Sequence, residues 1–326
     1  MKYEITPCQI TSEIVNTLVA IAESIGRLEG VNLIQPGPQL RRKNRIQTIQ
    51  ASLAIEGNSL TRDQVTALLD KRRVIGPPQD IKEVQNAIKA YQRLAEFKPL
   101  SIQSFLEAHG IMMQDLMANP GSLRQGPIGV MRENNIFHEA PHWEKVELMM
   151  QALFHYLKES NDHLLVKSSR FHFQLEYTHP FIDGNGRLGR LWQTRLLMVY
   201  HPVFEFLPVE NLIREHQQAY YRALATGDAT GDCTLFVAFM LVQIEQSLKQ
   251  LIEQTRGMTL TAENRLGIAQ AAFGKKAFSR KDYQSRLKTI STATASRDLQ
   301  KGVKLGWLKR SGDKRTSIYR FKSIQE

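Results

Sequence analysis

The segment HPFIDGNGRLGR, residues 179–190, brings a histidine, a carboxylate, glycines and two arginines together. Apolar residues that follow recur at spacings of three and four, which predicts a helix from about Asn185 to Tyr200. Free backbone N–H groups and the positive end of the helix dipole would meet at its first turn, where Gly184 and Gly186 would let an anion approach closely. The segment therefore predicts a phosphate site at a helix N-terminus.

The charged side chains of this segment suit phosphate chemistry. Arg187 and Arg190 lie three residues apart, so a helix places both on one face, where each guanidinium can bind phosphate oxygens. Asp183 precedes the first turn, and a hard carboxylate beside phosphates suits Mg²⁺. His179 can act as a neutral base near pH 7. Each feature by itself is compatible with a cap, a turn or a solvated helix, but their combination favours a functional site.

Two other motif matches are rejected on local grounds. Gly184–Gly189 fits the G-x-G-x-x-G pattern of dinucleotide folds, but residues 174–178 before it predict a helix rather than the buried strand that such folds need. His138–His142 fits H-E-x-x-H, but Pro141 breaks the helix that a zinc site of this type requires. We expect a loop there, which enters a helix near Trp143.

The length of 326 residues predicts roughly two domains, and 42% hydrophobic with 23% charged residues is ordinary for a soluble globular protein. No apolar run approaches the length of a membrane span, and the first residues lack the apolar stretch of a secretory signal. We therefore expect a cytoplasmic protein that does not enter a membrane. Cys8 and Cys233 could form one disulfide, but free thiols are expected in such a protein.

The charge is unevenly distributed. Residues 258–326 contain sixteen Lys or Arg and five Asp or Glu, whereas the rest of the chain carries equal numbers of basic and acidic residues. A basic C-terminal part attached to a neutral body favours a polyanionic partner for that part. A solvated basic surface is the simpler alternative. Breaking residues predict a linker at Arg256–Thr259.

The basic part has the pattern of helices followed by strands. It predicts three helices, near residues 261–273, 280–287 and 291–303. Ala295, Leu299 and Val303 are expected on the buried face of the third helix. Two short strands joined by a basic turn follow. This order resembles a winged helix-turn-helix, in which residues 292–299 correspond to the recognition helix.

Two partners are compatible with this C-terminal pattern. In DNA-binding winged helices the recognition helix enters the major groove, which predicts double-stranded DNA bound through residues 291–315. The residues expected to meet phosphates are Lys309, Arg310, Lys314 and Arg315. Winged helices also bind proteins or form dimers, and the fold by itself does not choose between these functions.

Residues 179–190 match every defined position of the signature of the Fic family, H-P-F-x-[DE]-G-N-G-R-x-x-R, which is long and specific. The resemblance extends over residues 81–249. Tyr220–Leu224 resembles the family's Y-Y-x-x-L segment, and Ser122–Arg124 leads into a region similar to the family's flap, near residues 130–136. The resemblance implies a mostly helical core with a short β-hairpin flap. It also implies transfer of AMP from ATP to a Tyr, Thr or Ser hydroxyl of a target protein.

The resemblance assigns a role to each signature residue. His179 would deprotonate the incoming hydroxyl, and Asp183 would hold Mg²⁺. The glycines with Asn185 would cradle the α- and β-phosphates, and the two arginines would bind the β- and γ-phosphates. The nucleotide-binding set that the resemblance implies is Gly184, Asn185, Gly186, Arg187, Leu188, Gly189, Arg190, Tyr220 and Tyr221. Tyr220 and Tyr221 could equally be core residues rather than part of the nucleoside pocket.

Residues 52–57, SLAIEG, form the end of an amphipathic helical pattern that Gly57 would terminate. The segment also resembles the inhibitory motif of the Fic family, [ST]-x-x-x-E-[GN]. The resemblance implies that Glu56 pairs with Arg190 and blocks the γ-phosphate position, and it includes Ser52 in the inhibitory motif. In some relatives the same glutamate supports removal of AMP by orienting water, so both directions of the reaction stay open.

The sequence thus predicts three parts: an N-terminal helical region with the inhibitory helix at 1–95, a Fic core at 96–255 and a basic winged-helix part at 256–326. The expected activity is Mg²⁺-dependent AMP transfer, with autoinhibition by Glu56. The alternatives are a DNA-binding regulator that uses the Fic domain as an ATP sensor, and an enzyme that removes AMP from proteins. The target and the oligomeric state stay open, and a homo-oligomer is compatible with the sequence.

Overall fold

The computed structural model describes residues 4–30, 37–132, 135–255, 261–274, 276–287, 290–313 and 317–322. Within these residues the chain is mostly helical, as predicted, with small antiparallel sheets. The helices are α1 (Ser12–Gly30), α2 (Pro38–Ile55), α3 (Arg62–Leu69), α4 (Pro78–Gln92), α5 (Ile102–Met112), α6 (Trp143–Glu159), α7 (Leu164–Thr178), α8 (Asn185–Tyr200), α9 (Val209–Glu215), α10 (Gln217–Thr230), α11 (Thr234–Thr255), α12 (Ala262–Phe273), α13 (Arg280–Arg286) and α14 (Thr292–Lys304). The strands are β1 (Gly129–Arg132), β2 (Asn135–Glu139), β3 (Phe278–Ser279), β4 (Leu308–Ser311) and β5 (Ile318–Phe321).

The chain divides into two compact units. The first comprises Met1–Gly26 with Arg42–Leu251, and the second comprises Arg27–Arg41 with Ile252–Glu326. We call them the large unit and the basic unit. The linker predicted at Arg256–Thr259 lies outside the described residues.

The core of the large unit forms where the apolar helix stripes meet. The stripe of α6, from Val146 to Leu157, is buried as its spacing predicts, and Phe105, Phe154 and Trp192 pack edge to face beside it. Buried apolar side chains of α2, among them Ile49 and Leu53, join the same cluster. Burial of each such side chain contributes about 1.5–3 kcal/mol. The core therefore fixes α2 and α8 within one packed body.

The hairpin β1–β2 occupies the region predicted to hold the flap. The two strands pair antiparallel, from Gly129 opposite Glu139 to Arg132 opposite Asn135, with an irregularity between Val130 and Met131. Residues 133–134, within the predicted flap, lie outside the described residues. The prediction of a loop at the H-E-x-x-H match was wrong in part, because His138 and Glu139 belong to β2; α6 begins at Trp143 as expected.

In the described part of residues 261–322, the basic unit contains α12, α13 and α14 and a three-stranded antiparallel sheet of order β3-β5-β4. Side chains of Thr261, Ser279 and Ser291 cap its helices by accepting N–H bonds, which explains where each helix begins. Arg265 of α12 donates two hydrogen bonds to Asp298 of α14, at 2.6 and 2.7 Å. This buried bidentate pair ties the two helices together.

Two details of the basic unit differ from the sequence prediction. Val303 is 37% exposed, whereas Ala295 and Leu299 are fully buried. Gly302 is buried instead, because its Cα faces Leu266 and Leu308 with no room for a side chain. The two-residue strand β3 was not predicted, since two residues are too short for an alternating pattern.

One described helix, α11, is long and apolar enough to cross a membrane by length and composition alone. Half of its most apolar stretch is buried inside the protein. The core helix of a soluble protein passes the same test, so the helix is weak evidence for a membrane span.

Candidate active site

The candidate site is built at the turn between α7 and α8. Because Pro180 follows, the chain leaves the helix at Thr178, and His179 takes a left-handed conformation with φ of +47°. A non-glycine residue in this region costs about 1–3 kcal/mol unless its surroundings hold it. The N–H of His179 donates to the carbonyl of Leu175 at 2.9 Å, which closes the end of α7. The strained residue is therefore the one predicted to be the base.

Arg124 holds this turn in place. Its side chain is buried, and its Nε donates to the carbonyl oxygen of His179 at 2.8 Å. The same guanidinium donates to the carbonyls of Thr178, Gly126 and Pro141. One side chain thus connects the end of α7 to the segments on either side of the hairpin. The sequence placed Arg124 only at the approach to the flap and gave no signal for this role.

The first turn of α8 is shaped by glycine and asparagine. Gly184, with φ of +84°, turns the chain into the helix. The side chain of Asn185 is buried and exchanges two hydrogen bonds with the backbone of Phe181, at 2.9 and 3.0 Å. This amide is therefore occupied in bracing the loop, and the free N–H groups at the start of α8 are the anion-binding feature.

Asp183 directly precedes Gly184 at the start of α8. Its Oδ1 accepts from Arg187 Nη2 and from the N–H of Gly184, both at 2.6 Å. Burial would raise the pKa of Asp183, but the Arg187 guanidinium and the Gly184 N–H together hold it below its usual value. Its side chain is 56% exposed, so a charged carboxylate faces the solvent beside the helix N-terminus.

Arg187 is held on its other side by an acid that the sequence did not single out. Its Nη1 donates to Glu83 Oε1 of α4 at 3.0 Å, and both side chains are largely buried. Glu83 Oε2 in turn accepts from Asn58 at 2.8 Å. The first arginine of the signature is therefore connected to the residues that follow Glu56. No spacing rule relates Glu83 to Arg187, so only the packing of α4 reveals it.

Arg190 is enclosed by the end of α2. Its Nε donates to Ser52 Oγ at 3.0 Å, and its Nη2 donates to the Ser52 carbonyl at 2.9 Å and to Glu56 Oε1 at 2.7 Å. The side chain of Arg190 is 1% exposed and that of Glu56 is 33% exposed. A Cβ at Gly186 would collide with the Glu56 carboxylate. Glycine at this position thus lets Glu56 lie against the first turn of α8.

Several residues of the predicted nucleotide-binding set lie in the interior. Leu188 is fully buried in the core, and a side chain at Gly189 would meet His172 and Glu176. Tyr220 is 1% exposed, and its hydroxyl is hydrogen-bonded to His172 Nε2 at 3.1 Å. Tyr221 is partly buried and packs edge to face on Tyr220. The structure therefore gives Tyr220 the core position that the sequence left open.

His109 of α5 packs against the turn between α7 and α8. Its ring stacks on Phe181 at 3.6 Å, its Nδ1 accepts from the N–H of Gly121, and its Nε2 lies 2.9 Å from the carbonyl of Asp183. An Nδ1 that accepts leaves the proton on Nε2, so the neutral imidazole donates to Asp183. Burial lowers the pKa of His109 to about 4. The ring is therefore a neutral structural support.

Comparison with known proteins decides which family this geometry represents. The model of the Fic/DOC family matches residues 99–197, which include α5 to α7, the hairpin and the signature. A Fic family protein from Desulfovibrio desulfuricans G20 has a solved structure that is 37% identical, with a TM-score of 0.74, and the match covers 99% of this chain and 100% of that one. The chain belongs to the Fic family.

Other Fic proteins are more distant. Proteins named protein adenylyltransferase Fic from Drosophila virilis and Drosophila grimshawi are 26% and 28% identical over 262 residues, or 74% of this chain. The chain spans about half the length of these curated relatives. Fic-1 from C. elegans shares the fold at 22% identity, with a TM-score of 0.61 over 74% of this chain and 73% of that one.

Proposed function

We propose that this Fic protein transfers AMP from ATP to a Tyr, Thr or Ser hydroxyl of a target protein. The observation that supports it is the placement of His179 one short loop before the N-terminus of α8, where Arg187 and Arg190 are both held. Attack of a hydroxyl on a nucleotide phosphate requires a base, a site that binds the phosphate anion and cations that neutralise its charge, and this segment provides them in that order. The names of the Drosophila relatives point to the same reaction.

The proposed mechanism uses the positions of these residues. The target hydroxyl attacks the α-phosphorus as His179 takes its proton, and the bond to the β-phosphate breaks to release pyrophosphate. The N–H groups at the start of α8 stabilise phosphate oxygens, and Arg187 with Arg190 neutralises charge on the leaving pyrophosphate. The Arg124 bonds keep His179 in its left-handed conformation. Positioning and electrostatics thus supply the catalysis, without a covalent enzyme intermediate.

Asp183 is the residue that would hold Mg²⁺. Proteins commonly bind this ion through one or two carboxylates together with substrate phosphates. Among the described residues no group of three or more His, Cys, Asp or Glu side chains gathers around one point. A single exposed carboxylate with a lowered pKa fits an ion whose other ligands come from the triphosphate, and the ion would then neutralise phosphate charge.

We further propose that Glu56 inhibits the transfer. Its carboxylate pairs with Arg190 and lies over Gly186, so it takes up the cation and the space that a terminal phosphate would use. A negative carboxylate in this place also repels the γ-phosphate. ATP would then bind with its α-phosphate misaligned for attack. Release of Glu56 from Arg190 would activate the enzyme.

The test uses the full chain with Mg²⁺ and ATP labelled on the α-phosphate, followed by denaturing gels and intact mass. We expect Glu56→Gly to incorporate more label than wild type, and His179→Ala in the same background to incorporate none. His155→Ala, which changes an exposed histidine of α6, is the matched control and should leave incorporation unchanged. Incorporation of label from ATP labelled on the γ-phosphate, with none from ATP labelled on the α-phosphate, would contradict AMP transfer.

The inhibitory role is tested separately from the reaction. Glu56→Gln keeps the shape of the side chain and removes its charge, so we expect incorporation between those of wild type and Glu56→Gly. Equal labelling of all three would refute inhibition by Glu56 while leaving the transferase standing. Faster release of AMP from a labelled target by wild type than by Glu56→Gly would instead favour removal of AMP as the main activity.

A second candidate function concerns the basic unit. Its helix order and sheet support a winged helix, and the exposed face of α14 carries Thr292, Ala293 and Arg297. Basic side chains of β4, Lys309 and Arg310, are exposed as well. Lys314 and Arg315 lie outside the described residues. This pattern suits a helix in the major groove with basic residues at the phosphates, so we propose that the basic unit binds double-stranded DNA.

DNA binding predicts a specific dependence on salt. The full chain should bind a mixed-sequence duplex at low salt, and log K should fall linearly with log salt. Lys309→Ala should reduce the slope by about one, whereas Lys249→Ala of α11 should not change it. Absence of binding to any duplex at low salt would assign the basic unit to protein recognition instead.

A further inference from the structure

The two cysteines of the chain, distant in sequence, lie side by side in the large unit. The N–H of Cys233 donates to the carbonyl of Pro7 at 2.8 Å, and the N–H of Gln9 donates to Thr234 Oγ1, also at 2.8 Å. These two bonds flank Cys8 and place it directly opposite Cys233. The Cys233 thiol donates to the Pro7 carbonyl at 3.2 Å, and the two cysteine side chains lie close enough that each shifts the pKa of the other.

This backbone pairing sets a limit on the distance between the cysteines. Standard peptide dimensions, added to the 2.8 Å bond from Cys233 to Pro7, put the two Cα atoms at most about 7 Å apart. Disulfides are found for Cα separations of about 4.4–6.8 Å, provided that the side chains point towards each other. The interaction between the two cysteine side chains is consistent with that second condition. A disulfide therefore fits with little backbone movement.

The two thiols are chemically unequal. The neighbouring Cys233 thiol lowers the pKa of Cys8, and the cation of Arg170 acts in the same direction. The neighbouring Cys8 thiol, together with burial, raises the pKa of Cys233. Cys8 is partly exposed and Cys233 is buried. Cys8 thus has the properties of an attacking thiolate, and Cys233 those of the thiol that resolves a mixed disulfide.

We propose that Cys8 and Cys233 form a reversible redox pair that a small-molecule disulfide such as oxidised glutathione converts to an intramolecular disulfide. The Cys8 thiolate attacks one sulfur of the small disulfide, forms a mixed disulfide and releases one thiolate. Cys233 then loses its proton and attacks the Cys8 sulfur, which releases the second thiolate. The two protein thiols are oxidised and one small disulfide is reduced to two thiols.

The disulfide would fix the N-terminal segment, residues 4–9. In the reduced protein this segment is held by polar contacts with α7, since Thr6 donates twice to Gln174 and accepts from Arg170 at 2.8 Å. A covalent link at Cys8 adds an attachment to the start of α11. It also closes a loop that spans most of the chain, which restricts the unfolded state strongly. We therefore expect a higher Tm and slower proteolysis of the segment after oxidation.

The test treats the reduced full chain with graded ratios of oxidised to reduced glutathione. We expect a mass loss of about 2 Da, a non-reduced peptide that joins Cys8 to Cys233, and a rise in Tm that dithiothreitol reverses. Cys233→Ser should trap a glutathione adduct on Cys8, because no second thiol can resolve it. Cys8→Ser should show neither the mass loss nor the Tm rise.

Two results would overturn the proposal. One is a wild-type protein that keeps a glutathione adduct on Cys8 while Cys233 stays a free thiol. The other is the absence of any intramolecular disulfide in excess oxidised glutathione, whether the chain stays reduced or forms only disulfide-linked dimers. If the buried substitution Cys233→Ser prevents folding, wild type and Cys8→Ser still decide the question.

Discussion

The carboxylate of Glu56 lies where a side chain at Gly186 would begin, so the two residues are sterically coupled across α2 and α8. With Ala at position 186 the Glu56 carboxylate must shift, which disturbs its pairing with Arg190. We expect Gly186→Ala to destabilise wild type more than it destabilises Glu56→Gly, with a coupling of about 1–2 kcal/mol in the free energy of unfolding. Urea unfolding of the four proteins of this cycle measures it.

The control for this cycle is another helical glycine with space around it. A methyl group added at Gly267 of α12 would meet no atom within 4 Å, so Gly267→Ala should stabilise the basic unit by about 0.5–1 kcal/mol in either background. Additive effects of Gly186→Ala and Glu56→Gly would show that the two residues do not compete for space.

Glu83 neutralises the first signature arginine, and its removal should strengthen nucleotide binding. Glu83→Gln keeps an acceptor for Arg187 Nη1 but removes a negative charge 3.0 Å from the cation. We expect the affinity for ATP to rise by roughly three- to tenfold, because one of the carboxylates that offset the charge of Arg187 is then removed. Titration calorimetry with the His179→Ala protein, which should not turn over, measures this affinity.

The matched change is Glu107→Gln, which removes one of the two carboxylates that pair with Arg93 on the surface. It alters the net charge equally and should leave the affinity for ATP unchanged. A weaker affinity in Glu83→Gln would mean that Glu83 orients Arg187 for the phosphates rather than competing with them.

Arg124 acts on His179 through the backbone, so its replacement should affect both stability and transfer. Arg124→Lys offers one ammonium group in place of a planar guanidinium and leaves buried carbonyls without donors. We expect a loss of about 2–4 kcal/mol in the free energy of unfolding and a decrease in AMP transfer at temperatures where the variant is folded. The exposed substitution Arg93→Lys serves as the control. Unchanged transfer in folded Arg124→Lys would show that the His179 conformation does not depend on these bonds.

Burial of His109 predicts a loss of stability in acid. Its pKa is about 4 in the folded protein against 6.5 in the unfolded chain, so the unfolded state binds more protons between these values. The stabilisation is complete above pH 6.5 and is lost as the pH falls towards 4, to a total of about 3 kcal/mol. Urea unfolding between pH 7 and pH 4 measures this slope.

The variant that tests this assignment is His109→Gln, which should have a shallower dependence on pH whatever its stability at pH 7. His155→Gln changes an exposed histidine and should keep the wild-type slope. Equal slopes in wild type and His109→Gln would assign the acid sensitivity to other groups.

Local features of this protein were predictable from the sequence. The bounds of α8 followed from its apolar stripe, and the helices predicted to begin near residues 261 and 291 begin at Ala262 and Thr292. These features depend on residues within one or two helical turns, where capping and periodicity act directly. The family signature likewise sits in one continuous segment, so the sequence sufficed to indicate the family.

Only the tertiary structure decided which distant side chains complete the site. Arg124 and His179 are 55 residues apart, and Glu83 and Arg187 are 104 apart, so no periodicity relates them. His109 gained its support role because α5 packs under Phe181, and Val303 lost its predicted burial because Gly302 takes the close contact. Such pairs form when helices pack, and their partners are chosen by shape and charge across the core, which a linear pattern does not record.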